Sequence, residues 1–187
     1  MRRLTVFNFM TLNGYFKGPG EDISWHSHSA EEEGEFAGEM AQMGGAHLFG
    51  RVTYEMMVAY WPTQDAKKKF PAVADGMNKA EKIVFSRSLK KTDWQNSRIV
   101  SGDIVEEMRK LKAGTGSDMC ILGSGSIVTQ MAGAGLIDEY MFMMDPLILG
   151  DGTPICKGMD HILQLKLKKT RTFKSGTLLL TYEPISK

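Results

Sequence analysis

The chain has 187 residues, a length typical of one domain, and its 23 basic and 22 acidic residues argue against a nucleic-acid-binding protein with a strongly basic surface. Its 2 cysteines are too few for a disulfide framework or a cysteine-based zinc site, and no stretch reaches the ~18 consecutive apolar residues of a membrane-spanning helix. We therefore expect a single cytoplasmic domain over residues 1–187 that binds neither nucleic acid nor a membrane.

The first half of the chain alternates between short apolar strands and helices. A strand over residues 4–10 leads into a long loop over residues 13–30, and loops of this length are often functional. The pattern then predicts a helix over 30–43, a strand over 46–49, a helix over 52–59 and a strand over 82–85.

The second half continues the alternation and ends in β-structure. A strand over residues 98–100 precedes a helix for which Asp103 is the expected N-cap. The remaining elements are a strand over 119–122, a helix over 127–132, a strand over 136–144 and a hairpin over 163–173 and 177–182. This order predicts an α/β fold, in which helices flank a central, mostly parallel mixed sheet with a C-terminal antiparallel hairpin.

Three predicted strand ends carry groups that bind anions. The strongest is a strand that enters Gly123-Ser124-Gly125-Ser126 and then a helix starting at Ile127, so that backbone N–H groups and a helix N-terminus face one place. This geometry suits a pyrophosphate, and a plain tight turn is the alternative. The pattern is not the Rossmann fingerprint, because the third glycine and the later acidic residue are missing.

The other two strand ends are Gly50-Arg51-Val52-Thr53 and Ser86-Arg87. A cation in the first turn of a helix opposes the helix dipole, so a bound anion would explain Arg51, while a simple exposed arginine is the alternative. Because ligands of open α/β sheets bind at the carboxyl ends of strands, the three ends together predict one extended polyphosphate ligand.

These motifs, in this order, resemble those of a known family. The chain resembles the dihydrofolate reductase fold family, and more closely the reductase domain of the bacterial bifunctional riboflavin-biosynthesis deaminase-reductase and its stand-alone relatives. Besides the three strand ends, the resemblance includes Thr11-Leu12-Asn13-Gly14 and Asp138-Glu139-Tyr140, and it extends over residues 4–183. It implies an NADPH-dependent reductase that acts on a pyrimidine, pterin or ribosylamino-pyrimidine substrate, and a homodimer.

The resemblance also implies positions for the cofactor. Gly50, Arg51 and Thr53 would lie by the adenosine-side phosphates, and Ser86 and Arg87 by the 2′-phosphate of NADPH. The pyrophosphate would be held by Gly123, Ser124, Gly125, Ser126 and Ile127.

On the substrate side, the family's loop after the first strand borders the nicotinamide and the substrate. This implies contacts from Asn13, Gly14 and Trp25, and from Asp151 in a late turn. Asn13 replaces the aspartate that relatives often carry, and this removes a charge. Trp61 follows a helix and is a candidate wall of the substrate pocket, with an aromatic core cluster as the alternative.

Reduction also needs a proton, and the first helix carries candidate acids. Glu32 stands four residues before Phe36, the spacing found in dihydrofolate reductases, and Glu33 lies on the same helix face. Both are candidate catalytic residues, although acidic residues in a first helical turn commonly serve only to complement the dipole. His26 and His28 are interpreted as loop residues, and we expect no metal site. The alternative functions are a catalytically silent nucleotide-binding regulator or scaffold on this fold, and a dihydrofolate reductase.

Overall fold

The computed structural model describes residues 1–26, 32, 36 and 45–185. Glu32 and Phe36 are both helical, as the predicted helix over 30–43 requires. The rest of that helix, including Glu33, and His28 lie outside the described residues. Among the described residues, no helix is long and apolar enough to cross a membrane.

The core of the molecule is an eight-stranded sheet. Its strands are β1 (Leu4–Thr11), β3 (Ala46–Gly50), β4 (Glu81–Phe85), β5 (Ser97–Val100), β6 (Met119–Leu122), β7 (Glu139–Asp145), β9 (Leu165–Thr172) and β10 (Leu178–Pro184). They lie in the order β5-β4-β3-β6-β1-β7-β10-β9. Neighbours from β5 to β7 are parallel, whereas β10 pairs antiparallel with both β7 and β9. The predicted mixed α/β sheet with a C-terminal antiparallel hairpin is confirmed.

Helices pack on both faces of the sheet. On one face, apolar side chains of β1, β3 and β6 contact α4 (Ile104–Ala113) and α5 (Gly125–Gly133) through Met108, Ile127 and Met131. On the other face, Phe49 and Val84 contact α1 (Arg51–Tyr60) and α3 (Pro71–Lys79). The expected N-cap of α4 is confirmed, because Asp103 Oδ1 accepts the N–H groups of Val105 and Glu106 at 3.0 Å.

The structure corrects the predicted elements at three places. The segment 13–30 is not a plain loop, because it contains β2 (Tyr15–Lys17), which pairs with β8 (Thr153–Pro154), and a 3₁₀ turn over Pro19–Glu21. Two helices over 64–79 were not predicted: α2 (Gln64–Lys69) and α3. The strand predicted over 136–144 begins only at Glu139, because the N–H of Leu136 bonds Met131 O at 3.0 Å and closes the end of α5.

Lys82 is a fully buried cation inside this scaffold. Its Nζ donates to the carbonyl oxygens of Met77 and Asn78, both at 2.9 Å, at the C-terminal end of α3. The same nitrogen lies 4.4 Å from the ring centroid of Trp94. Helix C-terminal carbonyls attract cations, but burial lowers the pKa of Lys82 to about 8.

This lowered pKa predicts a pH-dependent contribution to stability. Between about pH 8 and 10.5, folded Lys82 is neutral while the unfolded chain still binds a proton, so the free energy of unfolding rises with pH. Relative to the wild type, Lys82→Met should therefore lose up to about 1.4 kcal/mol of stability per pH unit in this window. Below pH 8 the difference between the two proteins should be constant.

Urea denaturation of both proteins from pH 7 to 10 measures this difference. Lys79→Met is the matched control, because Lys79 Nζ is exposed and pairs with Asp75 on the surface of α3, at 2.9 Å. If the difference in unfolding free energy between Lys82→Met and the wild type does not change between pH 8 and 10, as expected for the control, then the pKa of Lys82 is not lowered.

Candidate active site

Three neighbouring parallel strands, β4, β3 and β6, end at one edge of the sheet. Their ends line a cleft of about 670 Å³, which we call the first cavity. Nine of the ten residues expected at the cofactor lie there: Gly50, Arg51, Thr53, Ser86, Arg87, Ser124, Gly125, Ser126 and Ile127. The tenth, Gly123, lines the neighbouring cavity. The sequence patterns that singled out these residues thus fall on adjacent strand ends.

The turn from β6 into α5 has an unusual backbone. Gly123 and Ser124 both adopt left-handed conformations, with φ of 63° and 59°, and the peptide bond between them is trans. A Cβ on Gly125 would lie 2.9 Å from the Phe16 ring, so any larger residue there would have to displace this ring. A non-glycine residue with positive φ costs of order 1–3 kcal/mol, which the surrounding structure must offset.

The Ser124 hydroxyl connects two strand ends. Its Oγ accepts the N–H of Gly50 at 2.8 Å and donates to Thr53 Oγ1 at 2.9 Å. These bonds tie the N-terminus of α1 to that of α5. We therefore assign Ser124 first to holding the two helix N-termini together, rather than to direct contact with a ligand.

The first cavity carries positive charge. Arg87 is exposed beside Ser86, whose Oγ accepts the N–H groups of Ser88 at 3.2 Å and Leu89 at 3.0 Å. Lys157 also lines the cavity, and neither it nor Arg87 forms an ion pair with the described residues. Arg51 pairs with Glu55 at 2.7 Å. Cations, a hydroxyl and two helix N-termini around one cleft fit a polyphosphate.

A second cavity of about 860 Å³ adjoins the first. Four residues line both: Phe16, Lys17, Glu21 and Thr53. Three of these four belong to the segment after β1, which the family resemblance implies to border the nicotinamide and the substrate. A ligand in one cavity would therefore lie next to a ligand in the other.

Glu32 lies at the second cavity and is buried, with 8% of its surface exposed. Its Oε1 accepts the N–H of Ser175 at 2.9 Å. Phe36 lines the same cavity and packs on Phe7 and Phe173, with ring centroids 5.1 and 6.3 Å apart. The predicted spacing thus places a carboxylate and an aromatic ring in one apolar chamber.

A histidine–aspartate pair at this cavity was not predicted. His26 Nδ1 lies 2.6 Å from Asp145 Oδ2, and Asp145 Oδ1 accepts the Thr177 hydroxyl at 2.8 Å. The His26 ring stacks on Phe9 with centroids 3.4 Å apart. From the sequence alone, His26 is only a loop residue. The one available signal is Asp145, a carboxylate that directly follows the apolar run of residues 141–144.

The residues expected at the substrate are only partly brought together. Trp61 lines the second cavity, with Tyr60 beside it. Asn13, Gly14, Trp25 and Asp151 line neither cavity. The Trp25 indole N–H bonds Asp22 O at 3.1 Å, within the loop. Asp151 is exposed, and the residues just after it, Thr153 and Pro154, lie at the first cavity rather than the second.

Asn13 holds two segments of the chain together through its side-chain amide. Its Nδ2 donates to Leu149 O at 2.7 Å, and its Oδ1 accepts Leu149 N–H at 3.2 Å and the Thr11 hydroxyl at 2.8 Å. A carboxylate has no donor for the Leu149 carbonyl. The amide therefore holds the end of β1 to the segment after β7.

Comparison with known proteins agrees with this architecture. The Bacillus subtilis (strain 168) protein named "Uncharacterized protein YyaP" is 28% identical over 181 residues, covering 97% of this chain and 94% of its own. A Thermotoga maritima diaminohydroxyphosphoribosylaminopyrimidine deaminase/5-amino-6-(5-phosphoribosylamino)uracil reductase superposes with a TM-score of 0.69 at 16% identity, covering 98% of this chain and 57% of that chain.

The fold is also that of dihydrofolate reductase. The Enterococcus faecalis enzyme, in complex with NADP(H), superposes with a TM-score of 0.66 at 14% identity, covering 98% of this chain and 97% of its own. The model of the family described as the RibD C-terminal domain matches residues 2–179. Since this match extends over nearly the whole sequence, the chain belongs to the RibD C-terminal domain family.

Proposed function

We propose that this protein is an NADPH-dependent reductase that transfers a hydride to a pyrimidine-type, pterin-type or ribosylamino-pyrimidine substrate. One observation carries the proposal: a phosphate-type cleft at three strand ends adjoins a second, apolar cavity, and Phe16, Lys17, Glu21 and Thr53 line both. The family supports an oxidoreductase, and the Thermotoga maritima relative of this fold is named as a reductase of such a substrate.

The residues of the first cavity fit the cofactor. The start of α5, with Gly125 and Ser126, would hold the pyrophosphate, and the cation of Arg87 beside Ser86 would meet the 2′-phosphate. The left-handed turn at Gly123 and Ser124 would bring the backbone close to the ligand. When bound, NADPH supplies the hydride, and the protein supplies position and electrostatics.

Glu32 is the candidate proton donor. Reduction of a C=N bond adds a hydride to carbon and a proton to nitrogen, giving CH–NH and NADP⁺. The Ser175 N–H holds one Glu32 oxygen at 2.9 Å and thereby fixes the carboxyl group at the second cavity. The proton would pass from this carboxyl group to the substrate nitrogen and be replaced from solvent.

The proposal predicts selective NADPH binding. Arg87→Ala should weaken NADPH at least about tenfold, the value of a charged hydrogen bond, and leave NADH affinity unchanged, since NADH lacks the 2′-phosphate. Calorimetric titration measures both affinities. Arg98→Ala is the control, because Arg98 pairs with Glu81 at 3.1 Å and does not line the first cavity. If wild-type protein binds no NADPH at high micromolar concentration, the proposed function is wrong.

A second prediction concerns Glu32→Gln. The amide oxygen can still accept the Ser175 N–H, so the fold and NADPH affinity should be kept while kcat falls about 10²–10⁴-fold, as expected for the loss of a general acid. Steady-state rates at several pH values, with Glu106→Gln on the exposed surface of α4 as control, provide the measurement. Unchanged turnover and pH profile would remove Glu32 from the mechanism.

We also propose a homodimer. The edge strand β9 carries Lys166, Lys168, Lys169 and Arg171, and such cations oppose pairing of an edge with another strand. Edge pairing would therefore use β5, the other edge of the sheet. Light scattering should give twice the chain mass of 20.8 kDa, and a monomer at working concentration would refute the dimer.

A further inference from the structure

Trp61 directly follows α1, and hydrogen bonds hold its backbone on both sides. Its backbone N–H donates to Met57 O at 3.0 Å, and its carbonyl oxygen accepts the side-chain amide of Asn78 in α3 at 2.9 Å. The indole ring packs on Tyr60 and Phe70, with ring centroids 5.2 and 6.4 Å away. These contacts fix the position of the ring without any bond from its own N–H group.

The partner of the indole N–H group is a sulfur atom. Trp61 Nε1 donates to Met57 Sδ at 3.1 Å, and the two residues face each other because they are one helical turn apart. A buried indole N–H group usually finds a hydrogen-bond partner, but a thioether sulfur is only a weak acceptor. Within the described part of the chain, no oxygen atom accepts this N–H group. The indole donor is therefore fixed in place beside an acceptor that uses little of its strength.

Small molecules from solution can reach the Met57 sulfur. Met57 is half-buried and lines the second cavity, whose volume is about 860 Å³. Hydrogen peroxide is little larger than water, which occupies about 30 Å³ in the liquid. Met56 is likewise half-buried and lines the same cavity, whereas Met108 and Met131 are fully buried in the core. Met56 and Met57 are therefore open to an oxidant that the core methionines do not meet.

We propose that Met57 is a site of reversible oxidation by hydrogen peroxide and that the Trp61 indole holds the product. A lone pair of Met57 Sδ attacks one oxygen of the peroxide, the O–O bond breaks, and the other oxygen leaves as water after proton transfer. The thioether is thereby oxidised to a sulfoxide, and the peroxide is reduced. The sulfoxide is polar, and its oxygen is a much better hydrogen-bond acceptor than the sulfur that it replaces.

The Trp61 N–H group distinguishes Met57 from Met56. The methionine side chain is unbranched and has three rotatable bonds, so the new sulfoxide oxygen can turn towards Trp61 Nε1. Of these two methionines, only Met57 has its sulfur bonded to a donor within the described residues. Oxidation thus places a polar group in the wall of the second cavity while the end of α1 stays bonded to Trp61. This inference requires neither NADPH nor a substrate and is independent of the proposed function.

Peptide mapping by mass spectrometry, after brief treatment with hydrogen peroxide, measures the sulfoxide fraction at each methionine. Met57 should be oxidised at least about tenfold faster than Met108 and Met131, because susceptibility to oxidation follows exposure. Treatment with both methionine sulfoxide reductases, which act on opposite sulfoxide epimers, should then restore the thioether. Oxidation of Met57 at the rate of the core methionines, or a sulfoxide that both enzymes leave in place, would overturn the inference.

Nuclear magnetic resonance of the indole N–H groups reports the new hydrogen bond. The chain has 3 tryptophans, and the indole signal that Trp61→Phe removes from the spectrum belongs to Trp61. Peroxide should move this proton signal downfield in the wild type and in the matched control Met56→Leu, as a stronger hydrogen bond does. In Met57→Leu, which nearly conserves side-chain volume, the same treatment should leave the Trp61 signal where it was.

Two results of this measurement would contradict the bond between the sulfoxide and the indole. One is a Trp61 signal that stays in place although mapping shows that Met57 is oxidised. The other is an equal shift in Met57→Leu, which would assign the effect to another methionine. A measurement on the wild type alone adds an internal check, because the shifted signal should return when the reductases restore Met57.

Discussion

The parallel alignment of β4, β3, β6 and β1 is the constraint on which the rest of this structure depends. Because these strands run the same way and pair in register, their carboxyl ends meet at one edge of the sheet. Residues from distant parts of the chain, such as Gly50, Ser86 and Ser124, become neighbours through this alignment alone. The Ser124 hydroxyl then joins two of the strand ends, and it uses a left-handed backbone to reach both.

The boundary between the two cavities is held by a second, smaller pairing. Strand β2 pairs with β8, so that Lys17 lies opposite Thr153. The approach is so close that a Cβ on Gly152 would lie 2.6 Å from Lys17 O. This contact positions Phe16 and Lys17, which line both cavities, against the segment that continues into the first cavity. Residues 15–17 are therefore held by strand pairing at the boundary between the two cavities.

The two cavities differ in the charge and polarity of the residues that line them. Cations and helix N-termini surround the first, whereas aromatic rings and carboxylates surround the second. An arrangement of this kind keeps a positively charged cleft directly beside an apolar chamber. The buried Asp145, which also accepts the Thr177 hydroxyl, gives His26 a fixed place at the second cavity. Glu32 at the same cavity is likewise held by a hydrogen bond, from the Ser175 N–H.

Features that depend on a few consecutive residues were predictable from the sequence: the Asp103 cap and the strand–turn–helix junctions at Gly50 and Gly123. The mostly parallel sheet was predictable from the alternation of strands and helices along the chain. Caps and turns are decided by local sterics and by side chains that reach two or three residues along the chain. Only the tertiary structure decided the β2–β8 pairing, the bond of Glu32 to Ser175 143 residues away, and the meeting of His26 with Asp145 119 residues away. Nothing in the local sequence around His26 indicates its partner, because a hydrogen bond across more than a hundred residues depends on how the strands are ordered and on where each of them ends.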